Sequence, residues 1–280
     1  MKIVLLCADR DNHRALANKI AAQFGITAIV IEQRLSKKKR TFSKIIEAIA
    51  DRSLFRSITN AWSGMQAYYR RLYPAYPAGA EILKVSSVNN KETISFIRSM
   101  QPDLLVVSGT GMVKQDVLSI PVKYGIVNLH TGLSPYVKGA PNCTNWCIAK
   151  DTLQLIGNTV MWINAGIDSG DIISTERTLF NGSESLADVH IKVMEHAHDL
   201  YCRAIGKIES DFANCNRVKQ DSIAGGITFY AKQWDWKNKW KLLRNFKNWP
   251  RNISEAGHKE SLPLTVSLTT PNTKQTSNNN

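Results

Sequence analysis

The chain has 280 residues, with 36 Lys and Arg against 23 Asp and Glu and a net charge of +13. Its composition, 43% hydrophobic and 21% charged, is that of a globular protein long enough for one sizeable core and an appendage. No apolar run approaches the roughly 18 residues of a membrane span, and the apolar stretch of "MKIVLLCAD" is too short for a signal peptide. Five cysteines without a CxxC pair point to reduced thiols in the cytoplasm, not to a disulfide framework or a zinc site.

Residues 2–8 form an apolar run that predicts a buried strand. "NHRALANKIAAQFG" has helical apolar spacing and stops at Gly25, a usual C-cap residue. "ITAIVIE" (26–32) is a second strand, and this strand–helix–strand order signals a parallel α/β sheet. Residues 37–72 read as basic and helical. "ILKVSSV" is a third strand, and "NKETISFIRSMQ" a helix started by Asn89 or Asn90. "DLLVVSG" (103–109) and "GIVNLH" are buried strands, and "TNWCIAKD" is a short helix. "IGNTVMWIN" (156–164) and "DIISTERTLF" (171–180) flank a turn and suggest a hairpin. "SESLADVHIKVMEHAHDLYCRAIGKIES" is a long amphipathic helix with Ser183 as its cap. Spacings of six and two scatter His190, His196 and His198 around that helix, which predicts a solvated face. After Ser210 four of the seven tryptophans fall among lysines, and the polar end "TPNTKQTSNNN" predicts disorder. The expected organisation is therefore an α/β domain at 1–210, a small Trp/Lys-rich appendage at 211–251 and a disordered tail at 252–280.

Charge is uneven along the chain. Arg34 to Arg71 holds ten basic residues against two acids, with "SKKKR" at 36–40, and Lys232 to Arg251 holds seven against Asp235. Such fields suit anionic partners such as nucleic acid, acidic lipid or phosphorylated small molecules, and they equally suit solvated basic helices.

The chemistry concentrates at strand ends, where parallel sheets place their ligand crevice. Asn128 and His130 share one face at such an end, because strand side chains alternate. Thirty-eight residues on, "NAGIDSGDII" displays Asp168 and Asp171 in a glycine-containing turn. An amide donor, an imidazole and a carboxylate suit acyl transfer. Asn supplies a neutral donor to an oxyanion, His donates to it or moves a proton, and the carboxylate orients the His or deprotonates an attacking amine. With no GxSxG elbow, direct attack by a substrate amine fits better than an acyl-enzyme. From the residues alone, a turn-forming Asn and a core-satisfied His stand as the other reading, and Asp168 could equally make an Asx turn.

"NLHTGLSPYVKGAP" resembles the signature of the 10-formyltetrahydrofolate-dependent formyltransferases, roughly Asn-x-His-x-Ser-x-Leu-Pro-x-Tyr-x-Gly. "GNTVMWINAGIDSGDII" is similar to the segment that follows it in that family, and "PDLLVVSGTGMV" to the strand and loop before it. The resemblance spans about residues 80–180 and implies an α/β fold with a Rossmann-like, mostly parallel twisted sheet flanked by helices. It implies that Asn128, His130 and Asp168 are catalytic and that N10-formyltetrahydrofolate is the formyl donor, with no metal. Donor-binding loops would then be Ser108, Gly109, Thr110, Gly111 and Met112, together with Asn164, Gly166 and Ile167. Ser134, Tyr136, Lys138 and Gly139 would bind the acceptor. The chain departs from the family at Gly132-Leu133-Ser134-Pro135, where many members have Leu-Leu-Pro. "CADRDNHRA" replaces the glycine-rich phosphate loop of the purine-biosynthetic members, which argues against glycinamide ribonucleotide.

The resemblance is greatest to nucleotide-sugar N-formyltransferases. It implies a dTDP- or GDP-linked 4-amino-4,6-dideoxyhexose acceptor for surface polysaccharide such as the O-antigen of lipopolysaccharide, in a homodimeric enzyme. Methionyl-tRNA is the competing acceptor and would suit the charge. Enzymes of that group usually carry a C-terminal β-barrel, for which 211–251 is too short and too rich in Lys and Trp. A catalytically silent binding module is the third reading. "WDWKNKWKLLRNFKNW" would most simply pack its aromatics on the long helix or across a dimer interface; a membrane-surface role is its other reading.

Overall fold

Strand β1 (Ile3–Ala8) is covered on both faces, as its unbroken apolar run requires. Ile3, Leu5 and Cys7 enter one core layer and Val4 and Leu6 the other. The computed structural model describes residues 1–33, 49, 51–140, 142–163, 170–257 and 263–268. In it β1 is the middle of five parallel strands, with β2 (Ala28–Glu32) and β3 (Glu81–Val85) on one side and β4 (Leu104–Ser108) and β5 (Gly125–His130) on the other. The sheet has seven strands. Beyond the short β6 (Val137–Gly139), β7 (Gly157–Trp162) and β8 (Ile172–Arg177) complete it antiparallel, in the order β3-β2-β1-β4-β5-β7-β8. The expected Rossmann-like sheet is therefore present, and the expected hairpin is the β7–β8 pair.

Helix α1 (Asp11–Phe24) covers one face and ends at Gly25, whose N–H still donates to the Ala21 carbonyl at 3.0 Å and whose φ of 73° turns the chain out of the helix. α2 (Arg56–Leu72) packs beside it. α3 (Lys91–Met100), preceded by Asn90, and the single turn α4 (Gln115–Leu118) cover the other face. α5 (Cys143–Ala149) is buried along its whole length. α6 (Leu186–Asp211) packs against the sheet, α1 and α2. Its cap is Ser185, not Ser183. Asp188, three residues on, completes a capping box with Ser185, whereas the Ser183 hydroxyl donates to Asn181 Oδ1 at 2.7 Å.

The predicted solvated histidine face is not found. His190 and His198 are buried, against Trp62 (5.9 Å between ring centroids) and Tyr69 (5.6 Å) of α2. A helix packed on a sheet and on two other helices buries more than one stripe, so residues scattered around its axis are covered too.

After α6 the chain returns to the main body. β9 (Ile227–Phe229) pairs parallel with β6, and Phe229 stacks on Trp146 of α5 at 4.4 Å and 8°. α7 (Trp236–Lys247), capped by Asp235, donates from Asn245 to the Ile148 carbonyl at 2.9 Å. α8 (Trp249–Gly257) buries Trp249, whose indole N–H donates to Glu184 at 3.0 Å. The expected boundary at 251 thus falls inside α8, where Ile253 and Ala256 join the Trp249 cluster despite the polar sequence around them. Part of the expected disordered tail is held in place: Val266 accepts from the Thr175 N–H at 2.9 Å. Among the described residues no helix is long and apolar enough to cross a membrane. The basic run at 36–40 lies outside the described residues.

Candidate active site

The strand order places a topological switch between β1 and β4, from which connections run in opposite directions and leave a crevice at the carboxyl ends. A cleft of about 680 Å³ opens there. Arg10, Asn12 and His13 enter from the end of β1, Ser108 to Val113 from β4, Asn128 to Thr131 from β5, and Thr228 to Ala231 from the β9 segment.

Of the residues singled out in the sequence, Asn128, His130, Ser108, Gly109, Thr110, Gly111, Met112 and Gly139 all line this cleft. Asn164, Gly166, Ile167 and Asp168 lie outside the described residues; Ile163 and Gly170, which bracket them, line the cleft. Ser134 and Tyr136 are not at the cleft. Ser134 is 1% exposed and its N–H donates to Thr159 Oγ1 at 2.9 Å. The Tyr136 hydroxyl accepts from the Leu264 N–H at 2.8 Å, and its ring packs in the α5–α8 core. The Thr159 hydroxyl holds the turn that carries Ser134 away from the cleft. Lys138, on β6, is half-buried and also outside the lining.

The geometry around His130 is set by its neighbours. Thr159 lies opposite it on β7, and the Thr159 hydroxyl donates to the Gly132 carbonyl at 2.7 Å while accepting from Ser134. One side chain thereby clasps the turn that follows the histidine. The His130 Nε2 lies 3.3 Å from the Val137 carbonyl and 3.7 Å from the Cys143 thiol. A carbonyl only accepts, so Nε2 carries the proton in that contact. Gly132 touches this arrangement. A Cβ there would land on Nε2 and come within 2.9 Å of the Cys143 sulfur, so the glycine makes room for the imidazole. Deeper, the buried Tyr201 hydroxyl lies 2.9 Å from the Val107 nitrogen and 2.9 Å from the Val127 carbonyl. It ties together the residues just before Ser108 and Asn128.

Sequence reading did not single out Arg10, His13, Trp62 or Tyr230 as cleft residues. Among the described lining residues Arg10 is the one guanidinium or ammonium, and it sits 5.5 Å from the Trp62 ring centre. His13 Nδ1 lies 3.0 Å from the Ala8 carbonyl, so it is the protonated nitrogen, and Nε2 is left as an acceptor. Burial holds the His13 pKa down at about 4, partly offset by that hydrogen bond, so the ring is neutral near pH 7. Gly109, with φ 71°, passes so close to the His13 ring that no Cβ would fit. Nothing in the sequence placed His13, on the first turn of α1, against Gly109.

Chemically the arrangement offers a neutral amide, an imidazole, a main-chain loop and a positive charge around one space. That set can bind an anionic substrate and move a proton at a carbonyl carbon.

Comparison with known proteins agrees with this chemistry. A family model described as "Formyl transferase" matches residues 2–205. A methionyl-tRNA formyltransferase of Clostridium tetani is 27% identical over 172 residues, 58% of this chain and 54% of its own length. The chain thus spans about half the length of the curated relatives it matches. A sugar N-formyltransferase of a Shewanella species superposes with a TM-score of 0.56 at 15% identity, covering 88% of each chain. A 4-N formyltransferase of Francisella tularensis superposes at 0.53 and 19% identity, covering 87% of each.

Proposed function

The chain belongs to the formyl transferase family, and from that premise we propose that it moves a formyl group from N10-formyltetrahydrofolate to the amine of a nucleotide-linked amino sugar. The observation that carries the reading is the convergence of Asn128, His130 and the Ser108–Met112 loop on one cleft that also holds Arg10. The loop's main chain would bind the donor's pterin, and Arg10 an acceptor phosphate.

In this mechanism the acceptor's amine attacks the formyl carbon and forms a C–N bond. The carbonyl electrons move onto oxygen, and the Asn128 side-chain amide donates to the resulting oxyanion. The proton leaving the new ammonium goes to Asp168, directly or through water or His130. Collapse breaks the bond to N10, and the transferred proton ends on N10. The products are the formamide and tetrahydrofolate, with no net gain or loss of protons. Preorganised donors of this kind each supply about 3 kcal/mol of transition-state stabilisation.

The sugar reading is further supported by sugar N-formyltransferases that follow this chain along most of its length. Methionyl-tRNA is the second reading. It is favoured by the names of the curated relatives and by the net charge of +13. A panel of dTDP- and GDP-linked amino sugars, with charged methionyl-tRNA alongside, assayed with N10-formyltetrahydrofolate separates the two. Formylation of a sugar nucleotide is the expected result, and formylation of the tRNA alone overturns it.

A further inference from the structure

Glu32 ends β2, yet its side chain serves the loop after β4, two strands away in the sheet. It is 4% exposed. Its Oε2 accepts from the Gly111 N–H at 2.7 Å and its Oε1 from the Val88 N–H at 3.1 Å. The carboxylate therefore reaches across the end of β1 and joins the loop after β3 to the loop after β4. Asn89, next to Val88, closes the same connection from the other side. Its Nδ2 donates to the Met112 carbonyl at 3.0 Å, and its Oδ1 accepts from the Lys114 N–H at 2.7 Å. Gly109 to Lys114 are thus held at three backbone points by two side chains, while the opposite edge of the loop forms the cleft wall.

A buried carboxylate accepting from main-chain amides makes stronger bonds than a neutral acceptor would, and removing it leaves buried N–H groups without partners. The loop binds through main chain if it binds the donor at all, so its side chains cannot correct a misplaced backbone. We propose that Glu32 is a positioning residue for the formyl donor: its carboxylate, with Asn89, fixes the Gly109–Met112 main chain in the shape that receives the folate. This rests on the formyl-transfer reading above. Glu32 touches neither substrate and acts through Gly111.

The test compares wild-type protein with Glu32→Gln, which keeps the volume but replaces one acceptor oxygen by a donor, and with Asn89→Ala. The probe is 5-formyltetrahydrofolate, followed by titration calorimetry, with hydrogen exchange of the Gly111 amide and steady-state kinetics in parallel. Glu32→Gln is expected to weaken folate binding and raise the donor KM by at least about tenfold. It should speed Gly111 exchange and leave the acceptor KM within about twofold. Asn89→Ala should do the same to a smaller degree. A purely structural role would lower the melting temperature without separating donor KM from acceptor KM. Wild-type protein that binds folate while Glu32→Gln binds it equally well overturns this inference and leaves formyl transfer standing. Wild-type protein that does not bind folate overturns the formyl-transfer reading itself, and the positioning role with it.

Discussion

Two polar clusters in this molecule are built from the same residue types and end up in opposite roles. At the end of β5, Asn128 and His130 open onto the cleft. On the antiparallel side, Asn158 of β7, Glu176 of β8 and His196 of α6 make a second Asn–His–carboxylate set whose side chains bond to one another. His196 Nε2 lies 2.9 Å from Glu176, and its Nδ1 lies 2.9 Å from the Thr178 hydroxyl and 3.3 Å from Asn158 Nδ2. Arg203 adds a two-pronged contact to Glu176 at 2.8 and 2.7 Å. None of the members of this second set lines the cleft. An amide, an imidazole and an acid therefore do not define a catalytic site. A site also needs an open space to aim them at. Parallel strands supply that space because their carboxyl ends share one rim, whereas the β7–β8 hairpin turns its polar groups toward a helix.

The sharpest way to break this contrast is to remove one histidine from each cluster. His130→Ala is expected to lower kcat by about 10²- to 10³-fold while 5-formyltetrahydrofolate binding remains measurable. His196→Ala should leave kcat unchanged and lower the melting temperature by several degrees, since buried hydrogen-bond partners lose their mate. Equal catalytic losses in the two variants would end the distinction. Asp168, the proposed third group, sharpens it. Asp168→Asn should cost far more activity than Asp171→Asn in the same assay, and the reverse order would move the base.

Gly132→Ala tests whether the space beside His130 matters. The added methyl should displace the imidazole, and a displacement near 1 Å costs up to about 10²-fold in kcat. Unchanged kinetics would mean that the ring tolerates crowding.

The smallest effect belongs to the second cluster. Hydrogen bonds from His196 and then Arg203 hold the Glu176 carboxyl down at about 2, against about 4.5 for a free glutamate. Its folded-state pKa is depressed, so its stabilising contribution is present above about pH 4.5. That contribution is lost as the pH falls toward 2. Urea unfolding of wild-type protein should weaken across that window, and Glu176→Gln should show a shallower acid slope. Identical slopes would show that Glu176 does not carry it.

The parallel sheet and half of the site were legible in the sequence. "LLVVS" and "GIVNLH" could only be buried strands, and alternation put Asn128 and His130 on one face before any coordinates. Other readings failed for reasons of packing. Ser134 and Tyr136 fall inside the recognisable motif but lie off the cleft: Thr159, twenty-five residues away in sequence from Ser134, bonds the Ser134 amide, and the Tyr136 ring packs against the cluster of α5 and α8. His190 and His198 looked solvated because helical periodicity counts one covering surface and α6 has several. His13 and Arg10 were invisible as cleft residues because nothing local shows which strand-end loops face one another.

By itself the sequence determined which segments become strands and helices, and which strand end carries an amide and an imidazole, since those follow from periodicity and alternation along the chain. Only the tertiary structure decided which polar groups face an open cleft and which spend their hydrogen bonds on one another. That outcome depends on strand order and on side chains such as Glu32, Thr159 and Tyr201, whose partners are distant in sequence and meet only when the sheet is assembled.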